Sequence, residues 1–170
     1  MARFKHESPQ AGTRTVDIGV HGTEESVLIG ACSYSRYQPY LVIEAKRLPT
    51  DRKGREQEYV TGQTLNGSPT GGIQRFKLGL HGSDVEVAAM VGYLQKETPL
   101  HWHTTINGWI TSLAAARNQD GCNWSDEDKL QSLDAGKETG LSACQSSHKR
   151  IGRCATPTIA VHHLWLLMSR

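Results

Sequence analysis

Two acidic residues and a lysine have the types and spacing of a metal-dependent hydrolytic site. Asp17 lies in the alternating segment 15–20, and Glu44 lies in a second alternating segment, 40–46, with 26 residues between the two acids. Such alternation of apolar and polar residues is typical of half-buried β-strands. Because alternate residues of a strand share a face, Glu44 and Lys46 point to the same side, about 6 to 7 Å apart.

This arrangement predicts the hydrolysis of phosphodiesters. Carboxylates from neighbouring strands bind hard divalent cations, and Mg²⁺ in particular takes oxygen ligands and retains several waters. Asp17 and Glu44 are therefore candidate metal ligands, with the backbone carbonyl of Ala45 as a further oxygen and Mn²⁺ as an alternative cation. An amine beside the metal, here Lys46, orients the attacking water and stabilises negative charge on a phosphate. The alternative interpretation is an ordinary surface ion pair between Glu44 and Lys46.

The same residues resemble a known family. The run Thr15-Val16-Asp17 followed by Ile43-Glu44-Ala45-Lys46 resembles the PD-(D/E)XK nuclease superfamily, and the similarity continues through residues 55–61, 72–76, 89–93, 147–150 and 162–165. The resemblance implies a restriction-endonuclease-like α/β fold, in which a mixed central β-sheet is flanked by helices. It also implies that Asp17 and Glu44 bind the metal, that Lys46 is the catalytic lysine, and that DNA is the substrate.

The N-terminus motivates a second hypothesis. Members of this superfamily commonly begin with a helix that contributes another acid, whereas only 16 residues precede Asp17 here. We therefore expect that helix to be shortened or missing. The alternative function is a catalytically inactive module of the same fold that binds nucleic acid or a protein partner.

The elements that must position these residues fit one domain spanning residues 1–170, since domains of this size are common. Helical spacing and flanking glycines predict helices over residues 55–61, 73–80 and 99–117. Apolar runs predict a buried strand over residues 85–94 and an edge strand over residues 159–167. As an edge, the last strand offers a route to strand pairing with another chain, including a homodimer.

Basic residues cluster just after the candidate site, although the net charge is only +2. The candidate contacts to a nucleic-acid backbone are Arg52, Lys53, Arg55, Arg75 and Lys77. A solvated basic surface is the alternative interpretation.

Other patterns exclude several classes of protein. No apolar stretch approaches the ~20 residues of a membrane span, and the first ten residues lack the apolar core of a secretory signal, so we expect a cytoplasmic protein. The four cysteines form no CxxC pair. His101 and His103, with Cys144, His148 and Cys154, are weaker zinc candidates, and Trp102 between the first two histidines favours a helix start instead.

Overall fold

A mixed β-sheet forms the centre of the computed structural model, which describes residues 1–10, 15–51, 54–116, 120–136 and 140–168. In spatial order the strands of this sheet are Ala2–Pro9 (β1), Thr15–Gly22 (β2), Pro39–Leu48 (β5), Val87–Leu94 (β6), Thr158–Leu167 (β9), Leu141–Lys149 (β8) and Asp134–Ala135 (β7). A separate hairpin is formed by Ser26–Ile29 (β3) and Cys32–Ser35 (β4). β6 runs parallel to both β5 and β9, and the other neighbours are antiparallel. The predicted α/β class with a mixed central sheet is confirmed.

Two α-helices, Gly72–Lys77 (α1) and Pro99–Ala115 (α2), accompany short 3₁₀ turns at Glu56–Tyr59 and Asp126–Asp128. The side chain of Thr98 caps α2 by accepting a hydrogen bond from the backbone N–H of His101 over 3.2 Å. Trp102, Ile106 and Ile110 recur every four residues along α2 and are buried. None of the described helices is long and apolar enough to cross a bilayer.

Both helices pack on one face of the sheet. Gly72 of α1 lies directly above Met90, where an added Cβ would collide with the methionine side chain. His103 of α2 contacts Trp165 of β9 edge to face, with ring centroids 6.5 Å apart. Several apolar residues of the opposite face, such as Ile43 and Leu164, are only half-buried. The sheet is therefore covered by helices on one side, whereas the sequence predicts a sheet flanked by them.

The edges of the sheet also differ from the prediction. β9 is an interior strand, paired with β6 on one side and β8 on the other, so the predicted edge strand over residues 159–167 is wrong. Consequently this strand offers no free backbone edge for pairing with another chain. The true edges among the described strands are β1 and the two-residue β7. β1 occupies the stretch before Asp17, where the sequence predicts a shortened or missing helix.

Candidate functional site

Asp17 of β2 and Glu44 of β5 lie on neighbouring strands, near the end of the ladder that pairs them. The β2–β5 ladder pairs Ile18 with Ile43, so one further step brings Asp17 opposite Glu44. Residues directly opposite in antiparallel strands point to the same side. The carboxylate of Asp17 also accepts a hydrogen bond from the backbone N–H of Ala45 over 2.6 Å. The two predicted acids therefore lie on paired strands, and the carboxylate of Asp17 is engaged by the backbone of β5.

The carboxylate of Glu44 is buried and surrounded by positively charged or polarisable nitrogen groups. Its Oε1 forms ion pairs with Lys46 Nζ, at 3.1 Å, and with the guanidinium of Arg75. Its Oε2 lies 3.4 Å from Nδ1 of His81. Burial alone would raise the pKa of Glu44, but the contact with His81 and the charges of Lys46 and Arg75 outweigh it and lower the pKa to about 2. Glu44 is therefore ionised at neutral pH.

The segment after α1 brings Arg75 and His81 to Glu44. Arg75 lies in the last turn of α1, where its Nε donates to the backbone carbonyl of Gly71 over 3.3 Å. Gly79 follows the helix with a φ of +65°, a left-handed conformation that glycine adopts without steric cost. The chain thereby turns back, and Nη1 of Arg75 comes within 3.4 Å of Nε2 of His81. Arg75, His81 and Glu44 form a closed triangle of contacts.

His81 is the residue of this site that sequence reasoning missed. Its imidazole is 1% exposed and packs edge to face on Phe76. A lone histidine has no partner at a recognisable spacing, because Glu44 lies on a distant strand. The available sequence signal was the pair of glycines on either side of it, Gly79 and Gly82, which indicates a tight turn. In the structure both glycines adopt positive φ angles in that turn.

The predicted nucleic-acid contacts are dispersed by the structure. Arg52 and Lys53 lie outside the described residues. Arg55 forms a half-exposed ion pair with Glu58 over 2.7 Å, at the rim of the site. Arg75 contacts Glu44, as described above, and the ammonium of Lys77 is buried against Asp128 at 2.5 Å. A buried ammonium has no surface to offer a phosphate, so Lys77 stands apart from the other candidates.

The oxygen donors at the β2–β5 junction suit a hard divalent cation. Two carboxylates, Asp17 and Glu44, and the carbonyl of Ala45 are the kind of ligand that Mg²⁺ prefers, with water completing the octahedron. Within the described part of the chain no three His, Cys, Asp or Glu side chains are grouped to hold a metal. The carboxylate of Glu44 is already shared with Lys46 and Arg75.

The zinc candidates do not form a site. His101 and His103 lie in the first turns of α2, as the helix interpretation predicted. His103 Nε2 is bonded to the backbone carbonyl of Gln131 over 2.7 Å. His148 is fully buried and bonded to Asp128 and Ser146. These imidazoles are engaged in separate structural contacts.

A buried chain of polar side chains crosses the same face of the sheet beyond Met90, and sequence reasoning missed it. Its members are hydrogen-bonded in the order Trp165, Tyr59, His163, Ser146, His148, Asp128 and Lys77. The indole N–H of Trp165 can only donate and an ionised Asp128 can only accept, so with neutral imidazoles the bonds from Trp165 to Asp128 all run in one direction. Lys77 donates to Asp128 from the other end. His163 then carries its proton on Nε2 and His148 carries its proton on Nδ1.

Asp128, His148 and Ser146 are hydrogen-bonded in the order of a hydrolytic triad, but their surroundings exclude that role. Ser146 is 2% exposed, and its hydroxyl contacts His148 at 2.7 Å and His163 at 2.8 Å. A nucleophile needs a lone pair and access to its substrate. These hydrogen-bonded side chains therefore form a structural network that joins β8 and β9 to the 3₁₀ turns.

No protein-family model, no curated protein and no solved structure matches this chain. The geometry around Glu44 is therefore the basis for assigning a function.

Proposed function

We propose that this chain is a divalent-metal-dependent nuclease of the PD-(D/E)XK type that hydrolyses phosphodiester bonds in DNA. The observation that carries the proposal is the contact between Glu44 and Lys46 on β5, with Nζ 3.1 Å from Oε1, beside the strand β2 that carries Asp17. β5 is an interior strand, so its side chains are held on a rigid element, as a catalytic site requires. DNA is proposed as the substrate from the family resemblance.

Each residue of the junction has a role in this proposal. Asp17 and Glu44, with the carbonyl of Ala45, would hold Mg²⁺, which supplies a polarised phosphate oxygen and a more acidic water. Lys46 Nζ, held 3.1 Å from Glu44 Oε1, donates hydrogen bonds to the attacking water or to the phosphate. Hydrolysis then adds the water across one P–O bond and yields a phosphomonoester and a hydroxyl group.

A row of positive charge on β1 supports a polyanionic substrate. Lys5 pairs with Gly19 and Arg3 pairs with His21, so both cations lie on the Asp17 face of the sheet by strand alternation. Burial lowers the pKa of His21, and the charges of Arg3 and Lys5 lower it further. Among the described residues no carboxylate forms an ion pair with either cation. Unpaired cations beside the site would contact successive phosphates.

One observation favours the alternative function, a module that binds nucleic acid without cleaving it. Glu44 already has Arg75 and Lys46 on one oxygen and His81 near the other. A carboxylate whose charge is balanced by neighbouring cations can serve to orient those cations toward a phosphate rather than to bind a metal. This version of the site needs no metal and predicts binding that persists in EDTA.

The two functions are separated by a cleavage assay on end-labelled single- and double-stranded DNA and RNA with Mg²⁺, Mn²⁺ or EDTA. We expect cleavage of DNA with either metal, no cleavage in EDTA, and a loss of at least 100-fold in Glu44→Gln and Lys46→Met. Glu127→Gln and Lys149→Met are the matched controls, because these two residues form an exposed ion pair away from the site. Cleavage that survives Glu44→Gln would refute the nuclease assignment. Binding without cleavage under all conditions would establish the alternative.

A further inference from the structure

The face of the sheet that points away from the helices is exposed over four neighbouring strands, β5, β6, β9 and β8. This exposed face comprises four residues from each strand, in the paired rows that run from Leu41 to Arg47 of β5. Within it Ala89 is buried, and every other residue is half-buried or exposed. Most of its residues are Leu, Ile, Val or Ala. An apolar sheet face of this kind normally packs against another layer of protein.

The exposed face carries almost no charge. Arg47 is its single Lys, Arg, Asp or Glu side chain, and it forms an ion pair with Asp51 of its own chain. The two largest polar residues, Gln145 and His162, contact each other over 3.1 Å. A nucleic acid would require cations at this surface. An uncharged apolar surface instead suits a protein surface of the same kind, which it can meet without repulsion between like charges.

Large and small side chains lie at opposite ends of the exposed face. The row at one end holds its bulkiest exposed side chains, each 37% to 39% exposed, which are Tyr93, Leu166 and Leu141. The row at the other end holds smaller side chains, which are Val87, Ala160 and Ser147. A two-fold axis that crosses the strands would place the large row of one copy over the small row of the other. The exposed face is therefore complementary in shape to a second copy of itself.

The size of the exposed face is sufficient for a specific pair of chains. Four strands about 4.8 Å apart, each with four residues about 6.7 Å apart along the strand, cover about 500 Å². Two copies would therefore bury about 1,000 Å² before the relief of the side chains is counted, and specific interfaces begin at about this value.

We propose that the exposed face is the interface of a homodimer, in which two copies pack sheet against sheet about a two-fold axis that crosses the strands. Strand β9 then lies over the same strand of the other copy, with Leu166 over the partner subunit's Ala160. Glu44 is paired in register with Met90, on the face that the helices cover. The two candidate sites consequently lie on the outer sides of the dimer, and this inference is independent of the proposed function.

The test is sedimentation velocity of the purified chain at concentrations up to about 100 μM. We expect a reversible dimer in the wild type. We expect a dissociation constant at least about 30-fold higher in Leu166→Glu, because the interface would bury a carboxylate without a partner. Leu65→Glu is the matched control, since Leu65 is fully exposed in the loop before α1, and we expect a change of less than about threefold. Circular dichroism confirms folding, and Tyr93→Glu in the same row replaces Leu166→Glu if the latter does not fold.

A charge pair tests how the two copies are oriented. Ala160→Lys alone should also weaken the dimer. Leu166→Glu combined with Ala160→Lys in one chain should recover at least about tenfold in affinity, because each carboxylate then meets an ammonium of the other copy. The two positions lie about 20 Å apart along their own strand, so they cannot pair within one chain.

The outcomes separate this inference from the nuclease assignment. A dimer that is weakened by Leu166→Glu, unchanged by Leu65→Glu and restored by the double variant supports the inference. A monomer at every concentration overturns it and leaves the exposed face to a partner of another sequence, and a dimer that Leu166→Glu leaves intact overturns it as well. Failure of the double variant to restore the dimer overturns the proposed orientation. Glu44→Gln should leave the dimer unchanged, so failure of the cleavage assay would not affect this result.

Discussion

The carboxylate of Asp17 accepts a hydrogen bond from the backbone N–H of Ala45 over 2.6 Å. This bond lies just beyond Ile18 and Ile43, at the end of the β2–β5 ladder, so a side chain supplies a contact that the backbone would otherwise make. Asp17 is consequently both a structural link between two strands and a candidate ligand. The two roles make different demands, because the first needs an acceptor oxygen and the second needs a negative charge.

Substitutions at Asp17 separate the two roles. Asp17→Asn retains an acceptor oxygen, so we expect a nearly unchanged free energy of unfolding together with loss of metal-dependent cleavage. Asp17→Ala leaves the N–H of Ala45 without its partner, and we expect a further destabilisation of about 1–3 kcal/mol. Urea unfolding and the cleavage assay on the same preparations check both. Equal destabilisation by Asn and Ala would show that charge, not the hydrogen bond, links the strands.

Glu44 should make the protein sensitive to acid in a defined pH range. Its pKa is lowered from 4.5 to about 2 in the folded protein, so its contribution to stability is complete above about pH 4.5 and is lost as the pH falls toward 2. A shift of this size corresponds to about 3 kcal/mol at neutral pH. We expect Glu44→Gln to be less stable than the wild type by roughly this amount at pH 7 and equally stable near pH 2.

The measurement is urea unfolding of both proteins between pH 7 and pH 2.5, with Glu127→Gln as the control. Glu127 is exposed and forms an ion pair with Lys149 at the surface, so its replacement should change stability little. A constant difference between wild type and Glu44→Gln over the whole range would mean that Glu44 does not titrate as described.

Local patterns were sufficient to predict the two strands that carry Asp17, Glu44 and Lys46. The middle of β5 alternates between buried and half-exposed residues, and Glu44 and Lys46 share a face as the two-residue period requires. The helix over residues 99–117 was recognisable for a similar reason, since it has an apolar stripe. In each case the signal was carried by residues close together in sequence.

The missed elements are those whose sequence pattern was set by distant partners. β8 buries Ser146 and His148, which look like surface residues until Asp128 and His163 supply their hydrogen bonds. β1 is a largely exposed edge strand with no apolar face. The interior position of β9 depends on its pairing with both β6 and β8, and pairing across such separations leaves no local signature.

The buried ion pair between Lys77 and Asp128 should be important for stability. Both side chains are nearly inaccessible, the Nζ–Oδ1 distance is 2.5 Å, and Lys77 also lies over the ring of Trp124. Removing one member of such a pair leaves the other charge buried, at a typical cost of 3–5 kcal/mol. We expect Lys77→Met to lose about that much in urea unfolding.

Two further variants test the cause of that loss. Lys77→Met combined with Asp128→Asn removes both charges, and we expect it to be more stable than Lys77→Met alone. Lys149→Met is the control for removing a lysine, since its pair with Glu127 is exposed. If the double variant is no more stable than the single one, lost packing rather than an unpaired carboxylate explains the effect.

The two histidines of the buried hydrogen-bonded network predict a second dependence on pH. Burial lowers the pKa of His148, although its hydrogen bond to Asp128 opposes this, and burial lowers the pKa of His163 well below its ordinary value. Both are therefore neutral in the folded protein, whereas in the unfolded chain they take up protons near pH 6.5. Stability should fall as the pH decreases below 6.5, by up to about 1.4 kcal/mol per pH unit for each histidine.

The direction of the hydrogen bonds in this buried network gives a sharper test, because it fixes the tautomer of each imidazole ring. Nitrogen NMR of the imidazoles at pH 7.5 should show the proton on Nε2 of His163 and on Nδ1 of His148, because Ser146 accepts from the first and donates to the second. Ser146→Ala should leave both Nε2 atoms unpaired and cost about 1–3 kcal/mol for each. His101→Gln, at an exposed position of α2, is the control. A proton on Nδ1 of His163 would reverse that end of the chain and contradict this account of the network.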